Sequence, residues 1–172
     1  MASEPRNFVE AFRDVAVPVL TRHPHLRVVW ETGTKGEAYT LRILKNSPTG
    51  FDVGVEVQTY GLYPLAGDWH GSPLDITSPG MSIVEKCSWT LGVVRRLLST
   101  DMRLRVRCAG GHPYKWLIEA STPKGRELYE ETGLLLFRYF SARSEAVFQN
   151  DQLPPLGFTS GMTPFESIEP WQ

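Results

Sequence analysis

The segment Gly61–Gly80 holds side chains that could do chemistry, namely Asp68, Trp69 and His70, followed by Asp75. The charge of an imidazole is tunable near neutral pH, so His70 could act as a general base while a carboxylate orients its second nitrogen. This combination is typical of a small hydrolase or ligand-binding enzyme that uses His70 with Asp68 or Asp75. Turn hydrogen bonds made by the Asp residues and burial of Trp69 explain the same residues without catalysis.

Glycine and proline recur through this segment and argue against any long helix or strand. We therefore expect a structureless loop of about twenty residues, and loops of that length inside compact domains are usually functional or disordered. The loop would present Tyr63 and Trp69 to a partner.

A second candidate site is an arginine stripe, made of Arg103, Arg105 and Arg107, which alternate with apolar residues on one predicted strand. Three like charges on one face of a strand repel one another, so the pattern predicts anionic groups opposite them. One source is intramolecular, from Glu residues on other predicted strands: Glu31, Glu37, Glu56 and Glu119. The other is an acidic partner, because arginine presents a planar donor fork to carboxylates. The sequence leaves both open.

Other classes of site find little support in the sequence. His23 and His25 are two residues apart, but nothing completes a metal-binding motif, and no cofactor motif occurs. A net charge of -1 disfavours nucleic acid as a partner, although a local basic patch is compatible with it. Cys87 and Cys108 both fall at apolar positions, which predicts inert, reduced thiols.

Period-two segments and turn residues predict most of the elements. A helix over residues 4–16, ended by Pro18, precedes three strands around Val28, Leu41 and Val55. Ser82 and Glu85 form a capping box that starts a second helix. A hairpin with strands over residues 102–108 and 114–120 follows. Residues 125–131 are expected to form a short helix or turn, and residues 134–140 to pair with a strand over 146–148.

The predicted fold is therefore α+β. We expect an antiparallel sheet of six to seven strands in the order α-βββ-loop-α-ββ-ββ, with the helices packed on one face. Residues 1–153 would form a single domain. The Pro- and Gly-rich tail, residues 154–172, would be disordered or packed on that domain.

With 41% hydrophobic and 22% charged residues, the chain reads as an ordinary globular protein. No signal peptide or membrane-spanning stretch is evident, so a cytoplasmic location is the expectation. We expect a non-catalytic binding protein with an adaptor, chaperone-like or toxin-neutralising role and an acidic protein partner. Its recognition surface would combine the arginine stripe with two aromatic residues of the long loop, Trp69 and Tyr63.

Overall fold

The structure, a computed structural model, describes residues 7–33, 38–75, 77, 79–134, 141–157 and 171. Within those ranges the chain forms two helices and ten strands. In chain order they are α1 (Phe8–Thr21), β1 (Val28–Thr32), β2 (Tyr39–Ile43), β3 (Val53–Gln58), β4 (Gly61–Ala66), β5 (Trp69–His70), β6 (Leu74–Asp75), α2 (Ile83–Leu97), β7 (Met102–Ala109), β8 (His112–Thr122), β9 (Gly125–Gly133) and β10 (Arg143–Gln149).

The strands confirm an α+β fold with antiparallel pairing, but they divide between two sheets. The first sheet has the order β1-β2-β3-β4-β5, with β6 also paired to β4. The second sheet has the order β10-β7-β8-β9. The sequence predicted one sheet of six to seven strands, whereas the described residues form ten strands in two sheets. The strands before α2 pair only with one another, and so do the strands after it.

The expectation of a long structureless loop over Gly61–Gly80 was wrong. Its first six residues form β4, which pairs with β3 along its whole length. Pro64 is tolerated there because its backbone N and C=O both point away from β3, so no hydrogen bond between β3 and β4 is lost. The bond from the Gly71 N–H to the Pro64 carbonyl shows this direction. The short β5 and β6 pair with the two ends of β4 and leave Pro64 between them.

Two further elements differ from expectation at the C-terminal end of the domain. Residues 125–133 form the strand β9 and not a helix or turn, because they pair with β8 around a bulge near Ile118. β10 pairs with β7. The strand predicted over residues 134–140 lies outside the described residues after Leu134.

The helix ends show which local signals decide their position. Asn7 caps α1 by accepting from the Glu10 N–H, and the helix continues to Thr21 with Pro18 inside it, so Pro18 does not end it as predicted. The predicted capping box of α2 is confirmed: the Ser82 hydroxyl accepts from the Glu85 N–H, and the Glu85 carboxylate accepts from the Ser82 N–H.

The core lies between the two helices and the inner face of the first sheet, and it extends onto one end of the second sheet. Phe8 and Phe12 of α1 and Leu91 of α2 are fully buried with the inward residues of β2 and β3, such as Leu41 and Val55. Burial of these large apolar side chains contributes the main stabilising free energy of the fold.

The buried side chain of Asn150 joins three parts of the molecule. Its Oδ1 accepts from the Phe51 N–H at 3.2 Å, and its Nδ2 donates to the carbonyls of Phe51 and Leu97 at 3.0 and 2.9 Å. The end of β10, the β2–β3 connection and the end of α2 are therefore fixed together. This clamp holds the second sheet against the first.

Arginines at the end of α2 hold the start of the C-terminal segment. Arg95 donates to the carbonyl of Pro154 and Arg96 to that of Gly157, at 2.6 and 2.9 Å. The Asp101 carboxylate accepts from the Gly157 N–H. The indole of Trp171, the last described residue, is buried and donates to the Leu91 carbonyl. These parts of the segment pack on α2.

Candidate functional site

The arginine stripe lies on the outer, solvent-facing side of the second sheet and is bridged by two carboxylates. Arg103 Nε donates to Glu119 at 2.5 Å and Arg105 Nη2 donates to Glu119 at 3.2 Å. Arg105 Nη1 and Arg107 Nε donate to the two oxygens of Glu145 at 2.6 and 3.2 Å. The predicted intramolecular pairing is therefore present, through Glu119 on β8 and Glu145 on β10.

The other carboxylates proposed for this pairing do not contact the stripe. Glu31 pairs with Arg42 on the first sheet at 3.0 Å, and Glu56 accepts from the amide of Gln58. Glu37 lies outside the described residues. The sequence did not identify Glu145 as a partner of the stripe. Glu145 lies opposite Arg107 only because β10 pairs with β7, to which it is not adjacent in sequence.

The outer face of the second sheet nevertheless keeps an excess of positive charge. The strand registers place cationic side chains of all four strands on this face: Arg103, Arg105, Arg107, Lys115, Arg126 and Arg143. Among the described residues, the carboxylates that share the face are Glu119, Glu131 and Glu145. We call this set of residues the basic face. Its six cations exceed its three carboxylates, so it is attractive to acidic groups.

The two carboxylates of the stripe have different environments. The Glu119 side chain is only 14% exposed, whereas that of Glu145 is 36% exposed. Burial alone would raise the pKa of Glu119, but hydrogen bonds from Arg103 and Arg105 outweigh it, and the pKa lies below its usual value. Glu119 is therefore a fixed part of the sheet, while Glu145 sits at the accessible edge.

Exposed apolar and aromatic groups lie beside the cations. Val147 on β10 is 47% exposed and Leu128 on β9 is 55% exposed. At the tip of the sheet the Arg143 guanidinium lies 5.2 Å from the centre of the Tyr114 ring, which holds it by a cation–π contact. The basic face thus offers apolar contact area together with charge.

The structure does not place Trp69 on this surface. Trp69 is 1% exposed and belongs to the core. Its ring packs directly over Gly71, where an added Cβ would come within 2.5 Å of the indole. The ring therefore cannot contact a partner in this structure, and the simpler interpretation, that Trp69 fills the core, describes its position.

Tyr63 also lies apart from the arginine stripe. It is half-buried on β4, directly opposite Glu56 on the first sheet. Burial raises its pKa, and the neighbouring Tyr60, Glu56 and Asp75 act in the same direction. Tyr63 thus lies among acidic neighbours on the first sheet, whereas the arginine stripe lies on the second.

Two residues of the possible hydrolytic site, His70 and Asp75, lie at opposite ends of β4. His70 pairs with Leu65 at one end of β4 and Asp75 pairs with Gly61 at the other, about 13 Å apart at 3.3 Å per residue. The Asp75 carboxylate accepts from the N–H and hydroxyl of Thr77. In the described part of the chain, no hydrogen bond joins the exposed His70 imidazole to Asp68.

A cleft of about 350 Å³ opens between the two sheets, on the opposite side of the second sheet from the basic face. Its apolar lining comes from Phe51 in the β2–β3 connection and from four residues of the second sheet: Leu104, Val106, Trp116 and Phe148. Its rim is charged, with Arg42 and Lys45 on the β2–β3 side and Asp52 and Asp68 as the acids. A cleft of this volume lies at the lower end of the range of small-molecule pockets, about 300–1,000 Å³.

The described residues contain no group of three or more His, Cys, Asp or Glu side chains arranged to hold a metal ion. Within the same ranges, neither helix is long and apolar enough to cross a membrane. Comparisons of the chain with protein-family models, with curated proteins and with solved structures found no match.

Proposed function

We propose that this protein works by binding, without catalysis, and that the basic face recognises an acidic protein partner in an adaptor, chaperone-like or toxin-neutralising role. The observation that carries the proposal is the excess of six cations over three carboxylates on one exposed sheet face. Arginine guanidiniums form bidentate, charge-assisted hydrogen bonds with carboxylates, so this face suits an acidic protein surface.

The basic face retains donors for a partner even though its stripe is paired internally. Arg107 keeps 43% of its side chain exposed while it donates to Glu145. The side chain of Arg143 is exposed and is held by the Tyr114 ring, not by a carboxylate, among the described residues. A guanidinium that is already positioned loses little conformational freedom on binding.

Affinity capture from the lysate of the native host cells tests the proposal, with mass spectrometry of the retained proteins. Arg143→Glu reverses a charge on the basic face without breaking the Glu119 network. Arg22→Glu, at an exposed position after α1, makes the same change in net charge elsewhere. We expect an acidic protein to be retained by wild type and by Arg22→Glu, and to be lost from Arg143→Glu and at high salt. Equal retention by both variants would contradict the proposal.

A further inference from the structure

Among the strands that the structure describes, β10 forms an edge of the second sheet, and one of its sides faces away from β7. The Gly110 N–H donates to the Ala142 carbonyl, so the even-numbered residues of β10 direct their backbone groups toward β7. The odd-numbered residues direct theirs outward. This direction is confirmed at Gln149, whose N–H donates to the carbonyl of Thr49, outside the sheet.

Three residues of β10 consequently hold outward N–H and C=O groups that pair with no described strand: Arg143, Glu145 and Val147. All three residues are exposed. An unpaired edge of this kind is a template for another strand, and natural proteins usually cover or block such edges.

We propose that the edge of β10 accepts an extended acidic segment of the partner as a fifth antiparallel or parallel strand of the second sheet. This inference rests on the proposed function, since it names how the basic face would engage its partner. Main-chain hydrogen bonds would supply affinity, and alternate side chains would supply specificity.

The two sides of an added strand would meet different surfaces, because successive side chains of a strand point to opposite faces. Side chains on the outer side would lie directly beside Arg143, Glu145 and Val147 of β10, with the arginines of β7 one strand further in. The Glu145 carboxylate is already bound by Arg105 and Arg107, so the remaining positive charge of this face favours Asp and Glu there. Side chains on the inner side would lie beside Ala146 and Phe148, at the cleft lined by apolar residues. The matching segment therefore alternates acidic and apolar residues.

Charge distinguishes β10 from β9, the other edge of the same sheet. β9 holds one cation, Arg126, and three carboxylates, whereas β10 holds one cation, Arg143, and one carboxylate, Glu145. The excess of carboxylates on β9 would repel an acidic strand more strongly. Its inner side is also bound to the β5 region, where Ser72 donates to Glu130 and Thr132 donates to the His70 carbonyl. The acidic segment is therefore assigned to β10.

A synthetic peptide tests the inference: nine residues alternating Glu and Val, with both ends capped, with binding followed by fluorescence anisotropy. A second peptide of the same sequence is N-methylated at the residues that would donate to β10. We expect wild type to bind the first peptide at least tenfold more tightly than the second. Because this comparison uses wild-type protein only, it does not depend on the folding of a variant.

A pair of variants examines the same edge from the protein side. Val147→Pro removes an outward N–H while leaving the bonds to β7 intact, and Val147→Thr keeps the N–H in a β-branched residue. We expect the proline variant to bind the unmodified peptide at least tenfold more weakly, and the threonine variant to bind within twofold of wild type.

The outcomes separate strand addition from the proposed function. If Arg143→Glu abolishes peptide binding while N-methylation and Val147→Pro have no effect, the basic face binds acidic groups but strand addition is wrong. If wild type binds no peptide, strand addition is also wrong, and lysate capture with Arg143→Glu and Arg22→Glu decides the proposed function independently.

Discussion

Arg105 on β7 donates from Nη1 to the Glu145 carboxylate on β10 at 2.6 Å, which joins two strands that lie forty residues apart in sequence. The same guanidinium also reaches Glu119 on β8, so it bridges three adjacent strands. The arginine stripe is thus both a structural link across the second sheet and the centre of the basic face.

Removing the carboxylate of Glu119 should destabilise the protein more than removing that of Glu145. Glu119→Gln leaves Arg103 and Arg105 without their less exposed partner, and we expect a loss of about 1–3 kcal/mol in the free energy of unfolding. Glu145→Gln breaks a more exposed pair and should cost about 0–1 kcal/mol. Urea denaturation at pH 7 measures both, and equal losses would contradict the different roles given to these residues.

The stabilising effect of Glu119 should depend on pH. Its pKa in the folded protein is lowered, so the ionised carboxylate contributes stability that is present above its unfolded-state pKa of about 4.3. This contribution is lost as the pH falls through the folded-state pKa. The difference in unfolding free energy between wild type and Glu119→Gln should therefore shrink from pH 7 to pH 3. If the difference in unfolding free energy stayed constant from pH 7 to pH 3, the charge of the Glu119 carboxylate would not contribute to stability.

Asn150→Ala should remove the clamp between the sheets. Asn150 is fully buried, and its loss leaves the Phe51 N–H and the Phe51 and Leu97 carbonyls without the partner described above. We expect a cost on the order of 3 kcal/mol, since buried polar groups without partners are expensive. Asp151→Ala, at the exposed neighbouring position, is the control and should change stability by less than about 0.5 kcal/mol. A similar effect of both substitutions would argue against the clamp.

Gly71→Ala should destabilise the fold through Trp69. The added methyl group would lie 2.5 Å from the buried indole, closer than van der Waals contact allows. We expect a loss of about 1–3 kcal/mol, as is usual for overpacking a core. Gly80→Ala has open space around its Cβ but a φ of +83°, so it reports backbone strain without a clash. Thermal unfolding of the two variants compares these effects, and an unchanged Gly71→Ala would show that Trp69 is free to move.

The two cysteines should differ in reactivity. Burial raises the pKa of the Cys87 thiol to about 12, so almost no thiolate forms at pH 8. Cys87 is fully buried, whereas Cys108 is partly exposed. Alkylation of the native protein at pH 8, mapped by mass spectrometry, should modify Cys108 first and Cys87 only after denaturation. Equal rates for the two would contradict the buried position of Cys87.

Much of the fold follows from local sequence signals, and the remainder depends on long-range pairing. The capping box at Ser82, the alternation in β7 and the turn of the hairpin between β7 and β8 each depend on a few neighbouring residues, so they were predictable. The strand β4 was missed because Pro64 and the nearby glycines are unfavourable locally, while its hydrogen bonds come from β3 and the short β5.

The candidate site was predictable in part for the same reason. The alternation of Arg103, Arg105 and Arg107 placed them correctly on one strand face, and Glu119 was among their expected partners. The role of Glu145 depends on the register between β10 and β7, which no local pattern encodes. The burial of Trp69 depends on the core around it, so its type and spacing alone could not exclude it from the surface.

Recognition of acidic segments by the basic face can be measured by titrating ¹⁵N-labelled protein with the alternating Glu and Val peptide and mapping the NMR chemical shifts of the backbone amides. If the basic face binds the peptide, the perturbed amides will cluster on β7, β8 and β10, around Arg105, Lys115 and Val147, and the shifts will weaken as salt is added. Perturbations confined to the first sheet, or shifts that are insensitive to salt, would contradict recognition by the basic face.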